Sequence, residues 1–135
     1  MEWKYNEPLE NPKAIKEFLN KEGLKIPCDV ISFIARHNGG RPKKNLFDTD
    51  KSKECIFDGV FSYNYNDPEC IYNLYEGELK EILNGLKLFP IGMNPSGDLI
   101  CLKYEDDNSI CLFRQESRNV EYIADSISDF EKSFY

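Results

Sequence analysis

The chain has one histidine, one tryptophan and no two cysteines in C-x-x-C spacing. A lone His37 cannot supply a cluster of imidazole metal ligands, and no serine or cysteine stands in a motif that would join it to a catalytic triad. The chain also lacks G-x-S-x-G, a Walker A loop and H-E-x-x-H, and Gly92 and Gly97 do not complete a G-x-G-x-x-G fingerprint. No apolar run approaches the ~20 residues needed to span a bilayer, so no membrane partner is expected. Asn94-Pro95-Ser96 carries proline at the position that forbids N-glycosylation. The N-terminal Met1-Glu2-Trp3-Lys4-Tyr5 lacks a charged segment followed by an apolar one, and no targeting signal is expected there. Excess positive charge is missing too. The balance of 17 Lys+Arg against 24 Asp+Glu gives −7, which excludes a general nucleic-acid binder, since such a protein needs a basic face for phosphate.

What is present is ordinary in amount and uneven in placement. The 135 residues, 41% hydrophobic and 30% charged, suit one domain spanning 1–135 with a core of its own. Residues 1–44 carry nine basic and six acidic side chains, a net of +3, and residues 45–135 carry a net of −10. The acidic part reads either as solvated surface or as a face that docks a basic partner. The five cysteines are odd in number, and several lie in apolar runs. They read as buried thiols in a reducing compartment, which makes a cytoplasmic location the expectation.

The periodicity predicts helices first and strands later. Asn11-Pro12 reads as an N-cap and first turn, with Ala14, Ile15, Phe18 and Leu19 as one apolar stripe and Gly23 as the stop. A second helix starts at Pro27, buries Val30, Ile31, Phe33 and Ile34, carries cations at Arg36 and His37, and stops at Asn38-Gly39-Gly40. The stretch from Arg41 to Lys53 reads as a mobile loop. Phe57 to Tyr65 suggests β-structure with a bulge at Gly59, and Ile71 to Leu83 suggests a helix. Leu86 to Ile91 reads as a strand. Asp98–Tyr104 and Ser109–Arg114 flank a turn-forming cluster, the clearest hairpin in the chain. A short strand at Val120–Ile123 and a helix from Ser126 to Phe134 complete it, with Asp129 three residues past a serine cap. Helices, a mostly antiparallel meander and a final helix make an α+β fold.

Acidic clusters offer little chemistry by themselves. Glu105, Asp106 and Asp107 share a turn without the order of an EF-hand loop, and Asp48-Thr49-Asp50 begins such a loop but fails at Lys51. No metal, cofactor or catalytic residue is therefore expected, and no carboxylate pair is singled out.

The order of blocks does single out a family. Ile15-Lys16-Glu17-Phe18-Leu19 leads to Leu24-Lys25-Ile26-Pro27, then to the helix Asp29–Ile34 and Asn38-Gly39-Gly40-Arg41-Pro42. Phe89-Pro90-Ile91-Gly92 and Ser96–Leu102 follow, then Ile123–Phe130. This series resembles the SUKH superfamily, the domain shared by yeast regulators of cell-wall glucan synthesis and many bacterial immunity proteins. The resemblance implies an α+β fold and a non-enzymatic role. It implies either an immunity protein that binds and blocks a cognate toxin, expected to be basic and nuclease-like, or an intracellular regulatory or scaffold adaptor. It transfers no interface residue. On charge alone, the candidate docking face draws on Asp48, Asp50, Asp58, Asp67, Glu69 and the Glu105, Asp106 and Asp107 turn, interleaved with Tyr63, Tyr65 and Tyr72. The same tyrosines also fit a core or sheet-surface reading. A small enzyme or ligand-binding domain stays open as a third class, to be recognised by a pocket of convergent carboxylates.

Overall fold

Helix α1 (Ala14–Glu22) forms where Ala14, Ile15, Phe18 and Leu19 recur at helical spacing, and all four are buried. It ends at Gly23, whose φ of +69° is the left-handed turn that glycine adopts without Cβ strain. Its start lies later than the sequence suggests. Asn11 accepts the Lys13 N–H at 3.0 Å within a preceding turn, and the helix itself begins at Ala14. Helix α2 (Cys28–Arg36) buries Val30, Phe33 and Ile34, with Asp29 in its first turn and Arg36 in its last. The computed structural model that shows this describes residues 2–135.

Strand β1 (Trp3–Lys4) pairs antiparallel with β2 (Arg41–Pro42), and β3 (Leu46–Phe47) pairs with β4 (Cys55–Ile56). Leu46 also exchanges both backbone hydrogen bonds with Tyr135, at 3.0 and 2.9 Å. The stretch 41–53, expected to be a mobile loop, is thus tied at three places. Two of the three partners, Trp3–Lys4 and Tyr135, lie far away in sequence, where local pattern reading does not reach, while β4 lies only 8–10 residues on.

The main sheet is antiparallel in the order β5 (Phe89–Met93), β6 (Leu99–Leu102), β7 (Ile110–Phe113) and β8 (Val120–Ala124). Every residue of β6 and β7 is buried, so both faces of the sheet centre are covered. Cys101 faces Cys111 across that pair, and both thiols are buried and free. Burial raises both thiol pKa values, that of Cys111 to about 12. The hairpin expected between 98 and 114 is therefore present, as is the final helix α4 (Ile127–Ser133), capped by the Ser126 hydroxyl accepting the Asp129 N–H at 3.1 Å.

Residues 57–65 form no regular strand. The segment crosses the edge of β5 instead, with the Phe61 N–H donating to the Ile91 carbonyl at 3.1 Å and the Asp58 N–H to that of Met93 at 2.9 Å. Phe57, Val60, Phe61 and Tyr63 are all buried, which breaks the alternation of a half-exposed strand. Gly92 of β5 allows the close approach, because a Cβ there would collide with the Gly59 carbonyl and the Phe57 ring. The helix after it, α3 (71–82), is α-helical over Ile71–Leu74, π-helical over Tyr75–Leu79 and α-helical again over Lys80–Ile82.

Candidate partner-docking site

Three acids from the candidate face meet around one cleft of about 160 Å³: Asp58, Asp67 and Glu69. The chain puts them there for local reasons. Asp58 precedes Gly59, which turns at φ +132° beneath the Gly40 carbonyl. Asp67 opens a turn in which its Oδ1 accepts the Glu69 N–H at 2.8 Å. Leu74, from the first part of α3, closes the far wall. Of the three acids only Asp58 has an ion-pair partner among the described residues, Arg41 at 3.6 Å with both side chains 44% exposed. So open a pair contributes little and yields readily to a competing cation.

Asn38 holds this region in place. Its side-chain oxygen accepts the Tyr63 N–H at 2.7 Å, and its amide donates to the Glu7 carbonyl at 3.1 Å. The Asn-Gly-Gly block does more than stop α2: a buried asparagine pins the 57–65 crossing and the N-terminal segment to one point.

The other candidate residues go elsewhere. Asp48 accepts from the Glu54 N–H at 3.0 Å and the Tyr135 hydroxyl at 2.6 Å, and pairs with Lys53 at 3.3 Å. The Tyr135 hydrogen bond is the main reason its pKa is lowered. Asp50 pairs with the edge of β8, donating to the Tyr122 carbonyl and accepting the Tyr122 N–H at 2.9 Å. Glu105 pairs with Lys87 at 3.1 Å and Asp106 with Lys103 at 3.8 Å, while Asp107 accepts the Ser109 N–H at 3.0 Å. Tyr63 is 2% exposed and packs edge-on against Phe18, so it is a core residue and offers no docking surface. Its phenol loses its water there, and burial pushes its pKa far up. Tyr65 and Tyr72 stack on each other beside a separate cavity.

Two features escape the sequence reading. The first is a half-buried network in which Arg114 donates to Glu121 at 2.9 Å and to Asp98 at 3.2 Å. Thr49 and Ser52 also donate to Glu121, at 2.6 and 2.9 Å. Burial pushes the Glu121 carboxyl up, but the bonds from Arg114, Thr49 and Ser52 outweigh it and hold the pKa at about 2. A carboxylate so firmly ionised is a poor proton carrier at neutral pH, and the network works as a rivet between the 49–52 loop and the β7–β8 hairpin. The second is His37, expected to be a helix-end cation. It is buried, stacked at 3.6 Å on Trp3, and 3.3 Å from Glu131. Desolvation lowers its pKa from 6.5 despite that carboxylate, which disfavours the charged ring and leaves Arg36 as the standing cation at the helix end.

No helix of the described residues is long and apolar enough to cross a membrane. No curated protein sequence matches the chain. Residues 10–133 match the SMI1 / KNR4 family (SUKH-1), a span that takes in both N-terminal helices, the cleft, the four-stranded sheet and the whole of the last helix. An α+β fold with this element order and a match over nearly the whole chain place the protein in the SMI1 / KNR4 family (SUKH-1).

Proposed function

We propose that the protein is an immunity-type binding protein that neutralises a cognate, basic, nuclease-like toxin by direct contact. Family membership supports the class, since the family includes immunity proteins and related regulators. The observation that carries the proposal is the cleft of Asp58, Asp67 and Glu69, where two of three acids lack an internal cation among the described residues. Glu76, Glu78 and Glu81 stand exposed on α3, the helix whose Leu74 lines the same cleft. A nuclease gathers basic groups around its phosphate site, and an acidic surface can cover them. Electrostatic steering of this kind raises association rates by about 10- to 10³-fold at low salt. On this reading the protein acts by occlusion, without catalysis or cofactor, and works where its toxin would otherwise act, in the cytoplasm.

The test is co-purification with the product of the neighbouring gene, together with rescue of growth when that product is expressed. Capture and rescue support immunity. Capture without rescue points to the regulatory adaptor, and the absence of both rejects a toxin partner encoded there.

A further inference from the structure

The stacked tyrosines lie apart from the acidic cleft. Tyr65 is 73% exposed, yet its ring lies parallel to that of Tyr72 at 4.0 Å with an interplanar angle of 6°. Tyr72 is the fixed member. Its hydroxyl donates to the Tyr63 carbonyl at 2.9 Å, and its ring meets Phe18 and Tyr63 edge-on at 5.9 and 6.1 Å. The pair borders a cavity of about 320 Å³ whose opposite wall comes from α1: Ala14, Glu17, Phe18 and Lys21, with Asn11 just before the helix. Glu17 spends one carboxylate oxygen on the Asn11 amide at 2.6 Å, and no cation lies within ion-pair distance of it among the described residues.

We infer that this cavity receives an arginine side chain of the protein partner. Aromatic ring faces attract a cation, and a guanidinium is planar, so it can lie against a ring while its N–H groups reach a carboxylate. Glu17 provides that carboxylate beside the rings. A lysine ammonium has no plane to stack, and an acidic side chain would face Glu17 and the negative faces of the rings. Lys21, on the same wall, opposes the incoming cation, so its removal strengthens the site. The inference rests on the proposed basic partner and adds to it a specific anchor, built from tyrosine and arginine, two of the residue types enriched among interface hot spots.

The probe is N-acetyl-arginine methylamide titrated into the full chain and followed by amide NMR shifts. Shifts are expected at Glu17, Tyr65 and Tyr72, with the lysine analogue at least about threefold weaker. Tyr65→Ala and Glu17→Gln each weaken the arginine probe by about fivefold, Tyr65→Phe keeps the ring and binds as before, and Lys21→Ala tightens it. Tyr65 is exposed, so its variants retain the fold. Scattered shifts, or equal binding of arginine and lysine probes, overturn the inference. If a captured toxin binds Tyr65→Ala and Glu17→Gln with unchanged affinity, the anchor is wrong and the immunity reading stands. If no toxin is captured, that reading falls while the arginine titration still decides the cavity.

Discussion

Asp98 and Glu121 in the Arg114 network, and Asp67 and Glu69 at the cleft, are the same two residue types in opposite circumstances. Asp98 and Glu121 have side chains only 16% and 12% exposed, and they share Arg114. Asp67 and Glu69 border an open cleft, and neither has an ion-pair partner among the described residues. The first pair is committed to holding the fold and the second is available to a partner. The net charge of −7 counts them alike. On the proposed function, acidity serves docking only where the protein has not already neutralised it.

The contrast can be broken most strongly at Arg114. Arg114→Ala strands two half-buried carboxylates and should cost roughly 2 kcal/mol, between the cost of losing an exposed pair and that of breaking a buried one. Urea unfolding checks this, and a loss under about 1 kcal/mol would show the network to be a surface feature after all. Acid sharpens the same side. Glu121 has a folded pKa of about 2, below its ordinary value of 4.5. Its contribution is therefore complete above pH 4.5 and disappears as pH falls toward 2. Glu121→Gln should flatten the stability profile in that window, and an acid limb identical to that of the unaltered protein would assign the loss to other groups.

At the cleft, if the proposed basic toxin docks there, Asp67→Lys with Glu69→Lys should slow its association by about tenfold or more and weaken the salt dependence, as stopped-flow mixing would show. Reversing Asp48 and Asp50 should change association less and stability more, because both are bound into the 48–54 loop and the β8 edge. The smallest effect belongs to the Arg41–Asp58 pair. Arg41→Ala should leave thermal stability within about 0.5 kcal/mol, in keeping with an exposed ion pair.

The parts legible in advance are those set by neighbours in sequence. Gly23 stops α1, Ser126 caps α4 through Asp129, and residues 105–108 turn the β6–β7 hairpin, since each depends on a few adjacent dihedrals and hydrogen bonds. The candidate site was legible as a list of acids and tyrosines but not as a place. Asp58 meets Asp67 and Glu69 only because residues 57–61 cross β5, and Asn38 reaches 25 positions along the chain to hold Tyr63. The Arg114 network gave no signal, because its members Thr49 and Glu121 lie 72 residues apart.

Composition, period and caps in the sequence alone determined an α+β chain with two leading helices, a central hairpin, a closing helix and an excess of acid in its second part. Such features follow from dihedral preference and local apolar spacing. Tertiary structure decided which acids are spent, which tyrosine is core and which pair is presented. Burial and ion pairing depend on groups brought together from distant positions, and no local pattern encodes that proximity.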